Sequence, residues 1–105
     1  MATSDEESFL RANKLYEQRE FVEAKALYEE LPNKSASVFE NLGNCAYYLK
    51  EYPYALLYWY KAQARAYPTQ YIRISKRIDH VNKMLGITEE ISWYAGIRQW
   101  CMIYM

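Results

Sequence analysis

The chain has 105 residues, 51% of them hydrophobic, 17% aromatic and 25% charged, with thirteen basic and thirteen acidic side chains that cancel to a net charge of zero. That length fits one small domain, and three glycines and three prolines, with Val, Ile and Thr scarce, exclude a turn-rich all-β design. One histidine and two cysteines without a CxxC spacing exclude a His-based triad, a His-rich metal site and a disulfide framework, and fit a reducing compartment.

Helix signals recur along the chain. Ser4-Asp5-Glu6-Glu7 has the spacing of a capping box. Phe9, Ala12, Leu15 and Tyr16 then follow at helical period, so a helix is expected over about 5–18. A second, about 21–31, carries Phe21, Ala24, Leu27, Tyr28 and Leu31 on one stripe and is ended by Pro32. Ser37-Val38-Phe39-Glu40 reads as another capping box, opening a third helix to about residue 50. Pro53 suits the first turn of a fourth, running to about 66, because its missing N–H is harmless there. Thr69 reads as the N-cap of a fifth, about 70–85, with Ile74, Ile78, Val81 and Leu85 on one side and Gly86 as its stop. Thr88-Glu89-Glu90 would start a sixth.

Charge is unevenly spread. Residues 1–40 hold nine acids against five bases, whereas residues 65–83 hold Arg65, Arg73, Lys76, Arg77 and Lys83 against Asp79 alone. Five cations fall short of a nucleic-acid stripe, so no nucleic-acid partner is expected. The acidic N-terminus is no signal peptide and no run of about 18 apolar residues occurs, so the chain as given reads as cytoplasmic. The apolar tail, "ISWYAGIRQWCMIYM", would make it membrane-associated were the chain to continue past Met105. The three glycines form no phosphate-cradling loop, His80 reads as a solvated helix residue and Cys45 as a small buried thiol. The sequence therefore reads as non-enzymatic, with no cofactor.

A shift of 31 residues aligns the chain with itself. Asn13 falls on Asn44, Tyr16 on Tyr47, Glu20 on Glu51, Phe21 on Tyr52, Ala24 on Ala55 and Tyr28 on Trp59, while Ala12 meets Gly43. Small residues at Ala12/Gly43 and Ala24/Ala55 let two helices approach, and the rings at Phe21/Tyr52 and Tyr28/Trp59 fill the space between.

Asn41-Leu42-Gly43-Asn44, Tyr47, Tyr52, Ala55, Trp59, Ala62 and the closing Pro68 resemble a tetratricopeptide (TPR) repeat, and "FLRANKLYEQREFVEAKALYEELP" resembles a second, shortened one. Arg11 stands where that family has an apolar residue, and Lys50 where it often has Gly. More narrowly, the two repeats are similar to the small TPR domains of bacterial aerotolerance (Bat-type) proteins, which are attached to membrane segments. The resemblance implies an all-α, α-α superhelix: two TPR hairpins (about 5–32 and 37–68), a capping helix (about 69–86) and an apolar C-terminal helical tail, 87–105.

It also implies a scaffold that binds a peptide or partner helix in a concave groove. The groove residues would be Asn13, Tyr16, Asn41, Asn44, Tyr47, Tyr48, Arg73, Lys76 and Arg77, with Phe9, Glu17 and Glu40 beside them. Asn13, Asn41 and the basic cluster resemble part of a carboxylate clamp. Tyr54, Leu57, Tyr58 and Tyr60 leave the fourth helix apolar on its outer side. An all-round apolar helix needs a cover, here the tail's Ile91, Trp93, Tyr94, Ile97, Trp100 and Ile103, a partner or a membrane. Alternatives are the soluble domain of a membrane-associated bacterial protein, a secretion chaperone and a homodimer.

Overall fold

The computed structural model describes residues 2–86, with the side chains of 5–86. They form five helices, α1 (Ala2–Glu17), α2 (Phe21–Glu30), α3 (Ala36–Tyr48), α4 (Tyr52–Gln63) and α5 (Pro68–Met84), and no strand among the described residues. Helices adjacent in the chain pack on each other, α1 with α2, α2 with α3, α3 with α4 and α4 with α5. The fold is therefore all-α: two helical hairpins in series, closed by α5. The expected sixth helix at Thr88, and the packing of the tail on the fourth helix, lie outside the described residues.

The 31-residue repeat is present in the backbone itself. At the α1–α2 turn, Arg19 N–H donates to Tyr16 O at 3.0 Å and Glu20 N–H to Leu15 O at 2.9 Å. At the α3–α4 turn, Lys50 N–H donates to Tyr47 O at 3.0 Å and Glu51 N–H to Ala46 O at 2.8 Å. Both turns are Schellman closures, which need a left-handed residue at the position Arg19 and Lys50 occupy. Each has φ of 63°. A side chain in that region costs about 1 kcal/mol, so both turns hold their shape against a local penalty.

Packing within each hairpin follows the small-residue positions. Ala12, Ala24 and Ala55 are fully buried. A Cβ added to Gly43 would overlap Cδ1 and Nε1 of the Trp59 indole, which is itself buried. In the first hairpin the same pair is Ala12 and the smaller Tyr28, both with no exposed surface. The methyl group lost from the helix is thus matched by the larger ring facing it.

The hairpins differ where only one has a neighbour on each side. Leu42 is buried and its counterpart Arg11 is exposed; Cys45 is buried and its counterpart Lys14 is exposed. Among the described residues α1 packs chiefly on α2, so a polar residue on its other side faces solvent at no cost.

Three helix starts differ from expectation. α1 runs through Ser4, so Ser4 is not its cap; the acids after it remain well placed against the positive end of the helix. α3 is capped by Ser35, whose Oγ accepts from Val38 N–H at 3.3 Å, two residues before the expected Ser37. Glu40 cannot complete a box with Ser37 because its carboxylate is bound by arginines of α5. α5 starts at Pro68, with Tyr67 as N-cap, because proline at the first position already supplies the helical φ; Thr69 falls inside the helix. Gly86, at φ 71°, ends α5 as expected.

Gly43→Ala should lower stability by about 1–3 kcal/mol in chemical denaturation, since the overlap exceeds the gain in helix propensity. Adding Trp59→Tyr, which recreates the Ala12–Tyr28 pair, should recover most of it; a double variant less stable than Gly43→Ala would contradict this packing. Lys50→Gly should raise stability by about 1 kcal/mol by removing the left-handed penalty, read as a higher denaturation midpoint.

Candidate functional site

Asn44 and its neighbours form the polar centre of the molecule. The Asn44 amide donates from Nδ2 to Tyr16 Oη on α1 at 3.1 Å. Its Oδ1 accepts from Trp59 Nε1 on α4 at 3.1 Å and from Arg77 on α5 at 2.8 Å. One turn earlier on α3, buried Glu40 receives two parallel bonds from Arg73, Nε to Oε2 and the terminal nitrogen to Oε1, both 2.8 Å. Arg77 donates to Oε2 at 3.0 Å and Gln70, buried beneath, to Oε1 at 3.3 Å. Burial alone would raise the Glu40 pKa; the hydrogen bonds from Arg73 and Gln70 and the charges of Arg77 and Arg73 outweigh it and hold the carboxyl below its ordinary value.

The hairpin-internal bond also repeats. Asn13 Oδ1 accepts from the Tyr28 hydroxyl as Asn44 Oδ1 accepts from Trp59 Nε1. Asn41 Nδ2 donates to the same Tyr28 oxygen at 3.2 Å, joining the hairpins. Burial pushes Tyr28 up to about 12, so its hydroxyl stays a donor. Cys45, also buried, is pushed up to about 12 and stays a thiol, the inert packing residue its sequence context implied.

Above this network lies a cleft of about 290 Å³ lined by Tyr16, Asn44, Tyr47, Tyr48, Trp59, Lys76, Arg77 and His80. α1, α3 and α4 supply its tyrosine and tryptophan rings and α5 its cationic wall. Tyr47 sits edge-on to Tyr48 and Tyr52, tilted against Trp59, with its hydroxyl 3.3 Å from His80 Nε2. Tyr48, 49% exposed, stacks on Phe21 with ring centres 4.6 Å apart. A second hollow, of about 190 Å³, shares Tyr16 and Tyr48 with the first and adds Glu17, Arg19 and Phe21. The two hollows adjoin at Tyr16 and Tyr48.

Six of the nine expected groove residues meet there: Tyr16, Asn44, Tyr47, Tyr48, Lys76 and Arg77. Asn13 and Asn41 do not line it; they are held on Tyr28. Arg73 does not line it either, because Glu40 takes its guanidinium. The arginines of the expected clamp thus hold a carboxylate of the protein's own, and its asparagines hold a tyrosine hydroxyl. Phe9 lies elsewhere, with Asp5, Glu6, Leu31 and Val38. Trp59 and His80 join the cleft unforeseen. Arg73, Arg77 and His80 stand at i, i+4 and i+7, a spacing that puts His80 on the arginine stripe, and that was the signal available.

The outer face of α4 is less bare than expected. Tyr54 and Leu57 are exposed, at 55% and 40%. Tyr58 and Tyr60 are half-buried. Tyr58 stacks on Phe39 and donates its hydroxyl to Glu29 at 2.9 Å. Lys25 of α2 lies over the Tyr54 ring at 5.6 Å while bonding Glu51 at 3.0 Å, so polar groups of the first hairpin cover part of this face.

No set of three His, Cys, Asp or Glu side chains is arranged to hold a metal among the described residues. None of the described helices is long and apolar enough to cross a membrane.

Glu40 fixes a pH dependence. A carboxyl whose folded pKa is depressed stabilises the fold above its unfolded value, 4.5, and that stability is lost as pH falls through the lower folded value. Acid denaturation should therefore steepen below about 4.5, and Glu40→Gln should lack that part of the loss. At neutral pH Glu40→Gln should cost about 2 kcal/mol. That is less than for a sealed ion pair, because Arg73 and Arg77 are 49% and 37% exposed and can turn to water. Identical acid profiles for the two proteins would contradict this role.

No protein-family profile, curated protein or solved structure matches this chain.

Proposed function

We propose that the protein is a non-enzymatic interaction module of the tetratricopeptide type, which receives a peptide or partner helix in the cleft between α1, α3 and α5. The observation that carries this reading is the cleft itself: an open, ring-lined groove built from corresponding helices of two duplicated hairpins and closed by a fifth. The family part of the reading is supported by the identical turn geometry 31 residues apart and by the repeated Asn–ring bond. The binding part is supported by rings left partly exposed at the cleft, Tyr48 above all and Tyr16 and Tyr47 in part. Tyrosine and tryptophan give contact area at low entropic cost, which suits a recognition surface. The buried side-chain nitrogens and oxygens are all partnered among the described residues. The polar network thus stiffens the groove floor and leaves the rings to meet a ligand.

Selection of random displayed peptides on the purified protein should enrich related sequences. In nuclear magnetic resonance titrations these should shift resonances of Tyr48 and its neighbours. Tyr48→Ala should weaken them about tenfold or more while leaving helicity intact. No enrichment, or binding unaffected by Tyr48→Ala, would overturn the reading.

A further inference from the structure

We infer that the cleft selects an aromatic side chain flanked by a carboxylate, with Lys76 as the group that receives the acid. This rests on the groove reading above and adds the chemistry of its ligand.

The rings alone favour two kinds of guest. Three tyrosines and a tryptophan around a cavity of about 290 Å³ form the kind of box that attracts either another aromatic ring or a cation held over ring faces. The α5 wall decides between them. Lys76 and Arg77 line the same cleft and Arg73 stands behind them, against Glu40; Glu17 lies in the adjoining hollow, where Arg19 stands as well. Three cations against one acid leave the site positive, so a cationic guest is repelled and an anionic one drawn in.

The distribution of bonds then singles out one cation. Arg73 spends its two-pronged contact on Glu40, and Arg77 is divided between Glu40 and Asn44. Asp79, the one acid on α5, pairs with Lys83 at 3.2 Å. Lys76, exposed at the cleft wall, makes no hydrogen bond or ion pair among the described residues. A compact ammonium with three donors is suited to a carboxylate arriving from solvent. The cavity lies at the lower end of ligand-pocket sizes, which fits one large side chain with its neighbouring acid rather than a whole folded surface.

Four capped peptides test this: a phenylalanine between two glutamates, between two glutamines, between two lysines, and an alanine between two glutamates. Each is titrated by nuclear magnetic resonance into the full chain and into Lys76→Glu and Lys76→Arg. The glutamate–phenylalanine peptide should bind about tenfold more tightly than its glutamine counterpart. The lysine and alanine peptides should be weaker still. Lys76→Glu should remove the preference for acid, and Lys76→Arg should keep it. Lys76 is exposed, and unchanged circular dichroism would show that the variants fold. Equal binding of the glutamate and glutamine peptides, or an acid preference that survives Lys76→Glu, overturns the inference and leaves the groove reading standing. Binding of none of the four, by a protein that also selects no displayed peptide, overturns both.

Discussion

Asn44 is the side chain on which the arrangement of the other helices depends. Its amide reaches α1 through Tyr16, α4 through Trp59 and α5 through Arg77, from a position on α3 that is only 7% exposed. A buried amide left short of partners is costly, so these bonds act as a requirement: the helices must meet at the angles that satisfy it. Gly43, next to it, removes the methyl group that would keep the indole away. The adjacent pair thus does two jobs, one admitting Trp59 and the other fixing its direction.

The same network sets the electrostatics of the groove. An arginine pair on an open helix face would be a ready receptor for any carboxylate, but Glu40 supplies one from within. Bidentate contacts of this kind are strong and directional, and here they tie α3 to α5. Because Glu40 neutralises only part of the charge, the groove keeps a positive wall while its two arginines remain structural. Rigidity and residual charge therefore come from one set of residues. The rings above it keep their exposure because the core beneath is already closed by Trp59, Tyr28, Leu42 and Ile74.

Much of the architecture was legible in the residue pattern. The spacing of apolar residues locates five helices, and the 31-residue shift pairs Asn13 with Asn44 and Tyr28 with Trp59, which make the same bond in both hairpins. Ala12, Ala24 and Ala55 were readable as close-approach positions because a small residue on an apolar stripe has few other uses. Helix starts were less legible. Ser35 and Ser37 offer the same cap chemistry, and the choice fell on Ser35 because the Glu40 carboxylate is held by α5 rather than turned back to Ser37.

The sequence by itself determined the helical periods, the duplication, the breaks at Pro32 and Gly86 and the charge imbalance between the two ends, since each rests on local chemistry within a few residues. Which cations stay available was decided only by tertiary structure. Glu40 is 33 residues from Arg73 and 37 from Arg77. No pattern within α5 records that Arg73 and Arg77 are already matched by an acid of another helix while Lys76 is not. Charges act through space, and a carboxylate buried on α3 changes the meaning of an arginine on α5 only once the chain has brought the two within hydrogen-bond distance.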